Sequence, residues 1–158
     1  MAWLRSSTPL PIILKGILTR EDGARAVEAG VAGVWVSNHG GRQLDTVLSS
    51  AEALAEVLEG VRGAEGSRSA QQEQQQQTRL AVWVDGGVRR GTDVVKLLAL
   101  GADFVWVGKP IVWGLGAGGE EGVLKLLDIL SSEVKNTLQL LGKTSISSVG
   151  KDCVAWVT

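Results

Sequence analysis

The chain has 158 residues, 16 of them basic and 17 acidic, for a formal net charge of −1 at pH 7. That length suits one domain with a sizeable core, and the near-neutral balance gives no electrostatic reason to expect nucleic acid or an anionic membrane as partner, so a small molecule is the expected ligand. A single cysteine, Cys153, excludes an intrachain disulfide and fits a reducing intracellular compartment.

The opening stretch MAWLRSSTPLPIILKG carries a short apolar run broken by prolines. It lacks the basic-then-apolar build of a secretory signal, and nowhere does a run of about eighteen apolar residues occur. In chain order, LPIILKG is the first predicted strand, an apolar run ending in polar residues as suits a strand buried on both faces. TREDGARAVEAG follows as a helix with Thr19 as N-cap and Gly30 as its stop. GVWVSN is the second strand and SSAEALAEVLEGV the second helix. LAVWVDGG and DFVWVGK are strands on either side of GTDVVKLLALG, a helix closed by Gly101. The last helix is predicted over GGEEGVLKLLDILSSEVKNTLQLLG, where Leu124, Leu127, Leu130, Val134, Leu138 and Leu141 recur every three or four residues.

An internal repeat sharpens this pattern. Asp22, Gly30 and Val34-Trp35-Val36 return as Asp93, Gly101 and Val105-Trp106-Val107, each 71 residues further on. Two similar strand-helix units therefore stand in one chain. Alternation of this kind predicts an α/β fold with a parallel sheet, either doubly wound or part of a (β/α)₈ barrel. A whole barrel takes about 250 residues, so four βα units make half of one. Residues 62–79, RGAEGSRSAQQEQQQQTR, hold almost no large apolar side chains and are expected to be a disordered insertion; a glutamine-rich interaction tract is the alternative.

In parallel α/β folds the reactive groups gather at the carboxyl ends of the strands. His39 is there, the only histidine, and an imidazole suits a general base near neutral pH. Arg42 offers a planar fork for a carboxylate. The competing reading of His39 is a loop residue with incidental hydrogen bonds, against which stand its flanking glycines and strand-end position. DGGVRRGTD and VGKP suit a phosphate, with exposed backbone N–H groups, Arg89 or Arg90, Lys109 and the dipole of a helix starting near Thr92. Two tight turns with solvated basic residues would be the bland alternative. Lys15 could stabilise negative charge on a flavin or enolate, or simply reach solvent from its strand end. Asp45 is given no catalytic role. Trp35, Trp83 and Trp106 are expected to pack a core, their side of the sheet undecided. No metal site is expected, and Cys153, distant in sequence from any base, is not expected to act as a nucleophile.

Taken in order, PIILKGI, VSNHGGRQLD and DGGVRRGTDVVKLLALGADFVWVGKP resemble the FMN-dependent 2-hydroxy-acid oxidase family, which includes glycolate oxidase. Residues 3 to about 155 resemble its C-terminal half, with the glutamine-rich stretch inserted. The resemblance implies a (β/α)₈ barrel binding FMN and oxidising a small 2-hydroxy acid to a 2-oxo acid, with oxygen as acceptor and hydrogen peroxide as product. It implies that Lys15 meets the flavin's N1–O2 region, that Ser37 also touches the flavin, that His39 removes the substrate proton and that Arg42 holds the carboxylate. Asp85, Gly86, Gly87, Val88 and Arg89, with Gly108 and Lys109, would hold the ribityl chain and phosphate. A peroxisomal location is implied by resemblance only, since the final WVT is not a Ser-Lys-Leu address.

Two departures stand out. The family usually has arginine where Lys109 stands, and lysine keeps the charge but loses the fork. The family's first four strands have no counterpart, nor do its substrate-contacting tyrosines or the acidic partner of its histidine; the chain has no tyrosine at all. A half barrel leaves sheet edges and apolar interior uncovered. The chain is therefore expected to be a piece of a longer product, half of a dimeric barrel, or a poorly folded remnant, the first being favoured. A non-catalytic flavin-binding or half-barrel interaction module is the alternative function. An IMP dehydrogenase-like enzyme is disfavoured because no cysteine lies near the strand ends.

Overall fold

Valine and tryptophan alternate along the middle strands, and that alternation decides which face meets the helices. Val34, Val36, Val82 and Val84 are fully buried, while Trp35 and Trp83 between them are partly exposed. Side chains on a strand point alternately to its two faces, so the valines face the helical layer and the tryptophans the opposite, inner face. This settles the side of the sheet that the sequence left open. The computed structural model describes residues 1–67 and 79–155.

A short helix α1 (Ala2–Ser7), not foreseen from the sequence, precedes β1 (Ile13–Ile17), α2 (Arg20–Glu28), β2 (Gly33–Val36) and α3 (Ser50–Gly66). Then come β3 (Ala81–Val84), α4 (Gly91–Leu100), β4 (Phe104–Val105) and α5 (Lys109–Leu140). The helices start where their caps are. Thr19 Oγ1 accepts from Asp22 N, and Ser49 and Glu52 form a reciprocal capping box at α3. Gly101, at φ 117°, ends α4 in the left-handed region that glycine enters without steric cost.

The four strands are parallel and lie in the order β1-β2-β3-β4. A doubly wound sheet reverses its order at a switch point; an unbroken order with crossovers of one hand puts every helix on one face. The sheet is thus four consecutive βα units of a (β/α)₈ barrel. Its helix-side core joins Ala26 and Val27 of α2 and Leu54, Val57 and Val61 of α3 to the four strand valines. Burying each such large aliphatic side chain stabilises by about 1.5–3 kcal/mol. On the inner face Trp35 and Trp106 stack with ring centroids 4.7 Å apart, and Trp83 meets Trp35 edge-on at 5.9 Å.

Two expectations need correction. The last helix starts at Lys109, not Gly118, because Pro110 in its first turn favours helix initiation and the glycine-rich stretch after it still winds. Gly118 and Gly119 (φ 60°, ψ −140°) break it into two segments that touch at Gly114 and Gly122, where a side chain on either would overlap the other's backbone. The insertion expected over 62–79 does not begin at Arg62: α3 runs on to Gly66. There Arg62 Nη1 donates to Glu65 Oε2 (2.8 Å) and to the Leu80 carbonyl (3.1 Å), while Glu65 Oε1 accepts from Leu80 N (2.6 Å). The rest of that expectation, residues 68–78, lies outside the described residues.

Candidate active site

The carboxyl ends of the strands hold the polar groups, and a local irregularity in β1 aims the first of them. Lys15 pairs with Trp35 and Ile17 with Val36, so two residues of β1 advance where β2 advances one. Gly16 (φ 94°) absorbs the extra residue, as glycine does in a bulge. Lys15 can then point to the inner face while Ile17 returns to the helix-side core. Its Nζ lies 5.0 Å from the centre of the Trp35 ring, donates to Ser37 Oγ at 2.8 Å and is 3.4 Å from Asp85 Oδ2. Ser37 Oγ in turn donates to Asp85 Oδ1 at 2.6 Å and accepts from His39 N at 3.1 Å. Three strand tips are tied through one hydroxyl.

Beyond β2 the chain enters a left-handed run: His39 at φ 57°, Gly40 at 67° and Gly41 at 73°. Such a conformation in a non-glycine residue costs about 1–2 kcal/mol and is held only when its surroundings fix it. Here Asn38 does so, its Oδ1 accepting from Gly41 N (3.2 Å) while its own N donates to Ser50 Oγ (3.1 Å). From the first residue of α5, Lys109 Nζ reaches across to the Gly40 carbonyl at 3.1 Å. The His39 imidazole and the Arg42 and Arg89 guanidinium groups have no hydrogen-bond partner among the described residues. They are presented, not consumed. At the start of α3, hydrogen bonds from Ser49 hold the Glu52 carboxyl below its usual range.

Downstream in the same loop, Thr46 also adopts a positive φ, 61°, which for a β-branched residue is a steric outlier. Thr46→Gly is expected to raise stability by about 1 kcal/mol, read as a higher urea midpoint; an unchanged or lower midpoint would show that the threonine's local bonds to Asp45 outweigh the strain.

The phosphate reading needs one correction. The N-terminus of α4 is already capped by carboxylates: Asp93 Oδ2 accepts from Arg89 N (3.0 Å) and Arg90 N (2.9 Å), and Glu133 Oε2 from Gly91 N (2.7 Å). Arg90 is 3.5 Å from Glu133 and so is turned to α5, and of the two adjacent arginines only Arg89 lines the cleft. The free backbone donors are instead those of Gly86, Gly87 and Gly108, which have no partner among the described residues.

One open cleft of about 850 Å³ collects these groups. Ten of the eleven residues singled out from the sequence line it: Lys15, His39, Arg42, the run from Asp85 to Arg89, Gly108 and Lys109. The eleventh, Ser37, is 3% exposed and sits under Lys15 and Asp85. Sequence reasoning missed Asn38, Ser50, Trp106 and Trp113 as walls or supports. Asn38 could have been found from its place before two glycines, a position that favours a side chain able to cap its own turn. Among the described residues, no group of three or more histidine, cysteine or acidic side chains could hold a metal, and no helix is long and apolar enough to cross a membrane.

A half-barrel α/β sheet with a cation-lined, glycine-walled cleft at its carboxyl edge defines the class, four βα units of a (β/α)₈ barrel. The family is specific: the chain belongs to the FMN-dependent dehydrogenases, whose sequence profile matches residues 1–156. It is 51% identical over 152 residues to a peroxisomal (S)-2-hydroxyacid oxidase of Arabidopsis thaliana, covering 96% of this chain and 38% of that protein. It is 46% identical to human 2-hydroxyacid oxidase 2, covering 98% of this chain and 40% of the relative. A solved mandelate oxidase bound to (S)-mandelic acid superposes with a TM-score of 0.79 at 44% identity, over 93% of this chain and 39% of that one. Flavocytochrome b2 with pyruvate bound gives 0.82 at 42% identity, over 96% and 36%. The chain therefore spans about two fifths of the length of the relatives it matches.

Proposed function

We propose that the cleft binds FMN and a small 2-hydroxy acid and supports oxidation of that acid to the 2-oxo acid, with oxygen as the final acceptor and hydrogen peroxide as product. The observation that carries this reading is the meeting of one unpartnered imidazole, two unpartnered guanidinium groups and a fixed ammonium in a single cleft with glycine backbone open along its wall. The residues fit the cofactor. A Cβ at Gly87 or Gly108 would meet nothing within 4 Å, so their backbone stands open to a ligand. Arg89 and Lys109 supply charge for a phosphate, and Trp106 and Trp113 add apolar wall. Once bound, FMN supplies a two-electron acceptor.

The protein's own part is positional and electrostatic. Arg42 holds the substrate carboxylate with its fork, and His39 takes the proton as the hydroxyl-bearing carbon is oxidised. Lys15 places a positive charge where negative charge develops on the reduced ring system. Lys109→Arg restores a second N–H to the phosphate end and is expected to tighten FMN binding about three- to tenfold, the worth of one added hydrogen bond; a fluorescence titration showing weaker binding would mean the Lys109–Gly40 link matters more.

The whole enzyme is proposed to be peroxisomal, supported by the names of its Arabidopsis relatives, and its sheet edges at β1 and β4 to be covered by further barrel strands. The experiment is direct: purify the chain, add FMN, exclude oxygen, then add glycolate or lactate. Bleaching of the visible flavin band is the expected result. Bound flavin that no 2-hydroxy acid bleaches would favour a flavin-binding module without turnover, and no bound flavin would remove the reading for this chain.

A further inference from the structure

Resting on that functional reading, we infer that Trp35 is a positioning residue for Lys15: the face of its indole holds the ammonium in the cleft by a cation–π contact. On sequence alone Trp35 is a packing residue; strand register gives it a further part. Lys15 of β1, Trp35 of β2, Trp83 of β3 and Phe104 of β4 pair in succession, so one row across the inner face runs from an ammonium through three aromatic rings. Neighbouring strands lie about 4.8 Å apart, which brings the lysine head and the next ring within reach of each other. Lys15 Nζ stands over the Trp35 ring, 5.0 Å from its centre, inside the roughly 6 Å over which a ring's quadrupole attracts a cation.

The ring is itself held. Trp106 stacks on it with centroids 4.7 Å and planes 20° apart, and Trp83 meets it edge-on at 5.9 Å, so the indole cannot swing away without breaking two aromatic contacts. Trp106 in turn meets Trp83 at 5.6 Å and Phe104 at 5.0 Å. The lysine needs such a fixed neighbour, since its side chain has many rotamers to lose. Two other groups reach its head, Ser37 Oγ at 2.8 Å and Asp85 Oδ2 at 3.4 Å, and the indole differs from the carboxylate in kind. A carboxylate restrains an ammonium while cancelling part of its field; an indole attracts it and brings no net charge. The contact therefore fixes Lys15 and leaves its positive charge effective where the reduced ring system becomes negative.

The test uses the full chain in two states. In the FMN-free protein the Lys15 ε-methylene protons, identified by their loss in Lys15→Gln, are expected upfield of the ordinary lysine position, because protons over an aromatic face are shielded. Trp35→Leu is expected to return them to that position, with dispersed resonances from the buried Val34 and Val82 as proof of folding. Trp35→Phe keeps a ring of weaker quadrupole; a smaller upfield shift is expected there, and it decides the contact if the leucine variant does not fold. In the FMN-loaded protein Trp35→Leu is expected to weaken sulfite binding to the flavin about three- to tenfold when Lys15 is present, and by less than about twofold in a Lys15→Gln background. Lys15 protons at the ordinary position in the wild type, or equal sulfite losses with and without Lys15, would overturn the positioning role. A wild-type chain that binds no FMN removes the functional reading alone, and the proton spectrum still decides whether Trp35 holds Lys15.

Discussion

Gly60→Ala is expected to destabilise the chain by about 3 kcal/mol or to prevent folding, whereas Gly63→Ala, three residues along the same helix, is expected to stabilise it by about 0.5–1 kcal/mol. Both glycines are interior to α3, so intrinsic helix propensity favours alanine equally at each. The difference is what lies outside. A Cβ on Gly60 would overlap the Arg20 carbonyl oxygen and stand 2.8 Å from its carbon, in the backbone of α2. No rotamer can relieve a clash with main chain. Gly23, on α2, is the reciprocal contact, its Cβ position 2.8 Å from the Val57 carbonyl oxygen. These two glycines let α2 and α3 approach closely enough to seal Ala26, Val27, Leu54 and Val57 over the sheet. Gly63 meets nothing within 4 Å. Urea midpoints of the two variants would separate in opposite directions; midpoints that moved together would mean the helix pair can slide apart without loss of the core.

The strands were legible because four short apolar runs ended in polar or glycine residues, and the helices because their caps were explicit at Thr19, Gly30 and Gly101. The repeat of Asp22-Gly30-Val34 as Asp93-Gly101-Val105 gave the alternation its order. What could not be read was long-range. Nothing local in GVWV says which face meets a helix, since both faces are apolar; the answer lies in Val57 and Val61 of α3, which close over the valines. Nor does RRGTD reveal that Glu133, 42 residues on, takes Gly91 N and draws Arg90 away from the cleft. The glycine-rich stretch before Gly118 does not read as helix because glycine disfavours helix by about 1 kcal/mol per residue, yet the first segment of α5 winds through it. The small side chains are there for the close contact between Gly114 and Gly122. In the site, residue types that announce chemistry were found and the quiet supports, Asn38 and Ser50, were not.

His39→Asn is expected to lower the rate of anaerobic flavin reduction by a 2-hydroxy acid about thousandfold, within the 10²–10⁴ that general base catalysis supplies, and to leave stability within about 0.5 kcal/mol. Asparagine is chosen over alanine for a physical reason. At φ 57° an alanine would add backbone strain, mixing a conformational effect with the loss of the base; asparagine tolerates the left-handed region about as histidine does. The imidazole is then the only thing removed. The arginine beside it acts differently. Arg42→Lys keeps the positive charge and loses the fork, so it is expected to raise the substrate concentration for half-maximal reduction about tenfold with a smaller effect on the limiting rate. The pair of variants separates the two roles proposed for one cleft: binding by Arg42 and proton removal by His39. A His39→Asn protein that still bleached its flavin within tenfold of the wild-type rate would sink the general base. The proton would then have to leave by another route, and the strained backbone that presents this imidazole, held by Ser37 from below and Asn38 from the side, would have no chemical purpose.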